Sequence, residues 1–120
     1  ETLSMIKLST ELLSAQLNAI VDFISDGKLV IYASGVGNTS RPSVVIPLEW
    51  PCGVVEDGTL SFNQAEGLIH NPIMKWARIY NKEGLPVLDA EIGTDIEIDV
   101  DQAIIGGKVI IRNLTISYEA

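Results

Sequence analysis

In the stretch DIEIDVD, acidic side chains stand at every second position: Asp95, Glu97, Asp99 and Asp101, with Ile96, Ile98 and Val100 between them. Side chains alternate between the two faces of a strand, so a strand here places all four carboxylates on one face. Neighbours on that face are about 6.5–7 Å apart at a rise of ~3.3 Å per residue. Calcium takes its oxygens at roughly 2.3–2.6 Å, so two of these carboxylates would have to lean together, with loop carbonyls completing the shell. A glycosidase pair fits the same separation. A catalytic acid, however, needs burial to raise its pKa, and these acids share a charged surface. The third reading is a hydrated strand face. It is the one expected, because Ile96, Ile98 and Val100 need the opposite face for the core.

Other residues with chemical potential are scattered. Cys52 is the only cysteine and His70 the only histidine, which excludes a Cys/His zinc site within one chain. A nucleophile–base pair would need them close in space, and WPCGV around Cys52 carries no nucleophile signature. SGVG (34–37) lacks the lysine of a phosphate loop and reads as a turn. Trp50, Trp76 and Tyr80 offer a sugar-stacking platform, but alternation puts Trp76 and Tyr80 beside Met74, which favours packing. The triplet NLT (113–115) matches a glycosylation acceptor and matters only in a secreted eukaryotic protein. No catalytic, cofactor-binding or metal-ligating residue is assigned.

The elements that must position these groups are mostly strands. STELLSAQLNAIVDFIS (9–25) is the one strong helix, with Ser9 or Thr10 as its cap and Leu13, Leu17, Ile20 and Ile24 as an apolar stripe. Asp26-Gly27 ends it. After that, KLVIYAS, SVVIPLEW, the Asp57-Gly58 hairpin, IMKWARIY, PVLDAEIG, the acidic strand and the segment after Gly106-Gly107 give seven or eight short strands. Pro47 marks an edge or a bulge. The fold class expected is mainly β: an antiparallel β-sandwich of jelly-roll type with one N-terminal helix. Residues 5–120 form one domain, and residues 1–4, which precede Met5, read as a non-native leader. Leu13, Leu17, Ile20, Ile31, Ile79, Ile98, Ile110 and Ile116 are the expected core.

Composition narrows the partners. The chain has 120 residues, 47% of them hydrophobic, enough for one core. Its formal net charge of −8 disfavours nucleic acid and anionic membranes. Between Glu83 and Asp101 there are seven acidic residues and no basic one. No apolar run approaches the ~20 residues of a membrane span. A single cysteine fits synthesis in a reducing compartment.

Four segments carry a resemblance: MIKLSTELLSAQLNAI (5–20), GKLVIYASG (27–35), WARIYNKEGLPVLDAEIGT (76–94) and GGKVIIRNLTIS (106–117). Their order resembles a family of small proteins encoded by tailed phages and prophages, described as head-decoration or tail-associated components of the virion. Residues 36–72 depart most from it. The resemblance implies a non-enzymatic virion structural protein, made in the bacterial host cytoplasm and acting through protein–protein assembly. Its expected partners are other virion proteins and copies of itself, with a trimer preferred. The alternative is a carbohydrate-binding or cell-surface recognition module, with calcium as an optional aid. A small hydrolase ranks third.

Overall fold

A computed structural model describes residues 9–117. The expected leader at residues 1–4 lies outside the described residues. Helix α1 (Thr10–Ile24) starts where the sequence places it: the Ser9 side chain accepts a hydrogen bond from Leu12 N at 3.2 Å. Leu17, Val21 and Ile24 are buried, and Leu13 and Ile20 are half-buried. Asp26 takes the left-handed conformation (φ 66°) and turns the chain straight into the first strand. Gly27 follows because nothing larger fits. A Cβ there would lie 2.0 Å from the Tyr80 carbonyl oxygen.

Nine strands follow among the described residues: β1 (Gly27–Tyr32), β2 (Pro42–Leu48), β3 (Gly53–Glu56), β4 (Thr59–Phe62), β5 (Glu66–Leu68), β6 (Trp76–Tyr80), β7 (Pro86–Glu91), β8 (Ile96–Val100) and β9 (Lys108–Ser117). All paired strands are antiparallel. They make two sheets, one ordered β2-β1-β6-β7 and the other β3-β4-β9-β5 with β8 on the far flank of β9. The sheets pack through one core that holds Leu29, Ile31, Val44, Ile46, Leu60, Ile79, Ile96 and Ile111. The helix joins it through Leu17, Val21 and Ile24, lying against β3 and β4. No helix among the described residues is long and apolar enough to cross a membrane.

The chain is therefore mainly β, with two packed antiparallel sheets and one helix, as expected. The jelly-roll connectivity is not confirmed by this order. Consecutive strands pair as hairpins (β1–β2, β3–β4, β6–β7, β8–β9), and neither sheet contains three consecutive hairpin-linked strands, the unit of a Greek key. The chain visits the first sheet, then the second, and repeats the sequence once. At the β3–β4 turn both Asp57 (φ 51°) and Gly58 (φ 74°) have positive φ, the geometry of a two-residue hairpin loop. Strand β5 was not anticipated. Its three residues continue the line of β4 along β9, in the same register but after an interruption at residues 63–65.

One core expectation needs correcting. Ile110 pairs with Glu66 and Asp99 and is only half-buried. Val109 and Ile111 hold the inward positions beside it and are buried. Leu17, Ile31 and Ile79 are fully buried, while Ile98 and Ile116 are partly buried against the core. Ile111→Ala should therefore destabilise the fold by ~2–5 kcal/mol and Ile110→Ala by clearly less, measured by urea unfolding. Equal losses would contradict the assigned faces.

Candidate functional site

The acidic row comes apart into four different settings. Only Glu97 and Asp99 sit within β8 on its outward face; Asp95 precedes the strand and Asp101 follows it. Asp95 closes the β7–β8 turn, its Oδ2 accepting the Glu91 N–H at 2.8 Å. Asp99 pairs with Arg112 on β9. Glu97 and Asp101 are exposed. On the other face, Ile96 is buried and Ile98 is half-buried, but Val100 is exposed near the strand end. Among the described residues, β9 is the one strand paired with β8, so the row lies along an edge. Among the described residues, no group of three or more His, Cys, Asp or Glu side chains converges to hold a metal ion.

Cys52 and His70 are placed apart. The His70 N–H donates to the Ser43 carbonyl at the start of β2, while Cys52 follows the end of β2. A seven-residue strand spans roughly 20 Å, so the two side chains do not form a nucleophile–base pair. Cys52 is buried where the β2–β3 connection docks on the end of the helix. Its N–H donates to Ser25 Oγ at 3.1 Å, and that hydroxyl donates to the Val21 carbonyl at 2.5 Å. SGVG (34–37) lies in the loop before β2, with Ser34 Oγ donating to the Asn38 carbonyl, and no helix follows it.

The three aromatic residues do not form one platform. Trp76 is 1% exposed, in a second cluster with Val30, Tyr32 and Tyr80 on the outward face of the first sheet. Strand alternation explains this: Ala77 and Ile79 of β6 face the main core, so Trp76, Arg78 and Tyr80 face away from it. Trp76 stacks on Tyr32 with ring centroids 5.0 Å apart. The Arg78 guanidinium lies 5.0 Å from the centre of the Trp76 ring and binds Asp89 in a fork, Nε to Oδ1 at 2.6 Å and Nη2 to Oδ2 at 3.1 Å. The Tyr32 and Tyr80 hydroxyls meet at 2.5 Å. Burial and the Tyr80 hydroxyl push the Tyr32 pKa up. The indole Nε1 of Trp76 is buried without a hydrogen-bond partner, a cost of about 1–3 kcal/mol set against the stack and the cation. This face is a small second core. The sequence pattern showed the alternation but not which face would be sealed.

Trp50 stands elsewhere. It is 63% exposed, with its Nε1 3.5 Å from Asp22 Oδ1 on the helix, and the Trp50–Pro51 peptide bond is cis. It borders a cleft of about 460 Å³ shared with Glu49, Cys52, Asn63, Gln64 and Glu66. Asn63 and Gln64 belong to the interruption between β4 and β5, and no motif in the sequence marked them. No protein-family model, curated protein or solved structure matches the chain.

Two outcomes follow for these groups. Because the row is dispersed and Asp99 already has Arg112, millimolar calcium should leave the thermal midpoint where chelator leaves it, in the native chain and in Glu97→Gln/Asp99→Asn alike. A calcium-dependent rise of several degrees that the double variant loses would establish a metal site. For Cys52, burial pushes the thiol pKa up, with the hydrogen bonds at Ser25 and the backbone acting the other way. The folded state then keeps its proton to higher pH than the unfolded chain. This contribution to stability is intact below the unfolded thiol value of ~8.5 and is lost as pH rises through the raised value. A thiol-reactive disulfide reagent at about pH 8 should label Cys52 only as fast as the protein opens, so the rate tracks urea unfolding. Rapid labelling of the native state would contradict the burial.

Proposed function

We propose that this chain is a non-enzymatic structural protein of a tailed-phage or prophage virion, acting by protein–protein assembly. One observation supports assembly: the helix leaves an apolar stripe uncovered. Leu12, Gln16, Ala19 and Phe23 recur at i, i+4, i+7 and i+11 on the side opposite the core, and Leu12 and Phe23 are 44% and 55% exposed. Solvent-facing helix positions normally carry polar or charged groups, and this face has no lysine or arginine.

The occupant proposed for this stripe is a second copy of the chain. The stripe reads the same at both ends, a large apolar residue flanking the smaller centre of Gln16 and Ala19. Three copies can place this stripe against a common three-fold axis, which closes a homo-oligomer. On a repeated lattice many such weak contacts add through effective concentration. The virion setting rests on the four resembling segments and on nothing in the geometry.

The test is light scattering on purified protein at micromolar concentration. The native chain should be multimeric, with a trimer expected, and Leu12→Glu/Phe23→Asp should be monomeric while still melting cooperatively, at a midpoint that no longer depends on protein concentration. A native monomer would overturn the self-association. Capsid or tail genes flanking its own would support the virion setting, and a neighbourhood of metabolic genes would count against it.

A further inference from the structure

We infer that the cleft beside Trp50 is a binding site for a neutral saccharide. This goes beyond the assembly role and stands or falls separately from it.

The argument starts from the indole. Trp50 keeps both its exposure and its place: 63% of it is open, yet its nitrogen leans towards Asp22 and its neighbour Cys52 is tied into the helix end. An anchored, exposed indole offers a flat apolar surface at low entropic cost. Pyranose rings present such a surface a partner, because their axial C–H bonds cluster on one side. The rest of the ligand is a ring of hydroxyls, each able to donate and to accept.

The other walls supply the matching polar groups. Asn63 Nδ2 donates to the Pro51 carbonyl at 2.8 Å, which fixes the amide and leaves Oδ1 as an acceptor. The Gln64 side chain is exposed and brings both donors and an acceptor. Two carboxylates border the cleft, but Glu66 already pairs with Lys108 at 3.1 Å, leaving Glu49 as an acceptor. Among the described residues, no lysine, arginine or histidine lines the cleft. An anionic ligand would therefore meet an acidic wall on a chain of net charge −8. A basic peptide would want converging free carboxylates, and one of the two is neutralised. A neutral hydroxylated ring suits one stacking face, two amides and one acceptor. The cleft volume of about 460 Å³ falls within the ordinary range for small-molecule sites, roughly 300–1,000 Å³.

The protein carries its own reporter. Its two tryptophans are in opposite environments, Trp50 open and Trp76 buried, so a ligand at the cleft alters the emission of the exposed one. The experiment titrates the full chain with neutral trisaccharides of glucose, galactose, mannose, rhamnose and N-acetylglucosamine. A galacturonate trisaccharide and a lysine-rich peptide are run beside them. At least one neutral trisaccharide should give a saturable blue shift. Trp50→Ala, whose melting midpoint should match the native one, should abolish binding of that sugar by calorimetry, and Gln64→Ala should weaken it about tenfold. Three results would overturn the inference: no response to any neutral sugar, binding that survives in Trp50→Ala, or tighter binding of the galacturonate or the peptide.

Discussion

Strand β9 pairs with β8 along one flank and with β4 and β5 along the other. Every strand of the second sheet except β3 is hydrogen-bonded to it, and β3 reaches it through β4. The strand must keep one face on the core for its whole length, and it does so only by a bulge. Its partners on β8 step from Glu97↔Asn113 to Ile98↔Ile111, leaving Arg112 as an extra residue. Were Arg112 paired in plain alternation instead of bulged, Leu114 and Ile116 would turn outward after Val109 and Ile111 had faced inward. On the opposite flank the ladder opens at residues 63–65. The freed Asn63 and Gln64 then border the cleft beside Trp50, so one irregularity in a central strand accompanies that recess.

The helix depends on this frame more than on its own propensity. It buries Leu17, Val21 and Ile24 against the core, and its end is pinned by Ser25, Cys52 and the Asp26 N–H to the Leu48 carbonyl at 2.6 Å. Those bonds fix the rotation of the helix about its axis. The same rotation that seats Leu17 inward leaves Leu12 and Phe23 outward. An exposed pair of this size is a consequence of helical geometry applied to a sequence with apolar residues on more than one side.

Local signals were legible and long-range ones were not. Ser9 as cap, Asp26-Gly27 as stop and Asp57-Gly58 as a hairpin are written in residues a few positions apart, and each is realised. The alternation in WARIY separated Ala77 and Ile79 from Trp76 and Tyr80 correctly. It could not say that the outward set would be sealed by its own stack and by Arg78, because Asp89, the partner that holds Arg78, comes from the neighbouring strand. The acidic row was read as one face. Asp95 left it because a turn needed its carboxylate more than a strand needed its position. Strand β5 was invisible because three residues in line with β4 have no periodicity of their own. The order of strands across a sheet depends on pairings between distant segments, which is why the jelly-roll expectation was beyond what local patterns carry. The cleft residues share that limit, since Trp50 and Gln64 come together only through tertiary structure.

The repeated hairpin plan also has a kinetic side. Each hairpin joins neighbours in the chain, and such units form on the microsecond scale. The first sheet is sewn together only where β1 meets β6, and the second where β4 and β5 meet β9. Both seams join segments about fifty residues apart, and the entropy of closing those loops must be lost before either seam returns any burial. The hairpins are therefore fast and the seams slow. A substitution in the β1–β6 or β4–β9 pairing would delay the refolding of the whole domain, and one at a hairpin tip such as Asp57-Gly58, formed before the barrier, would delay it too while leaving the unfolding rate little changed.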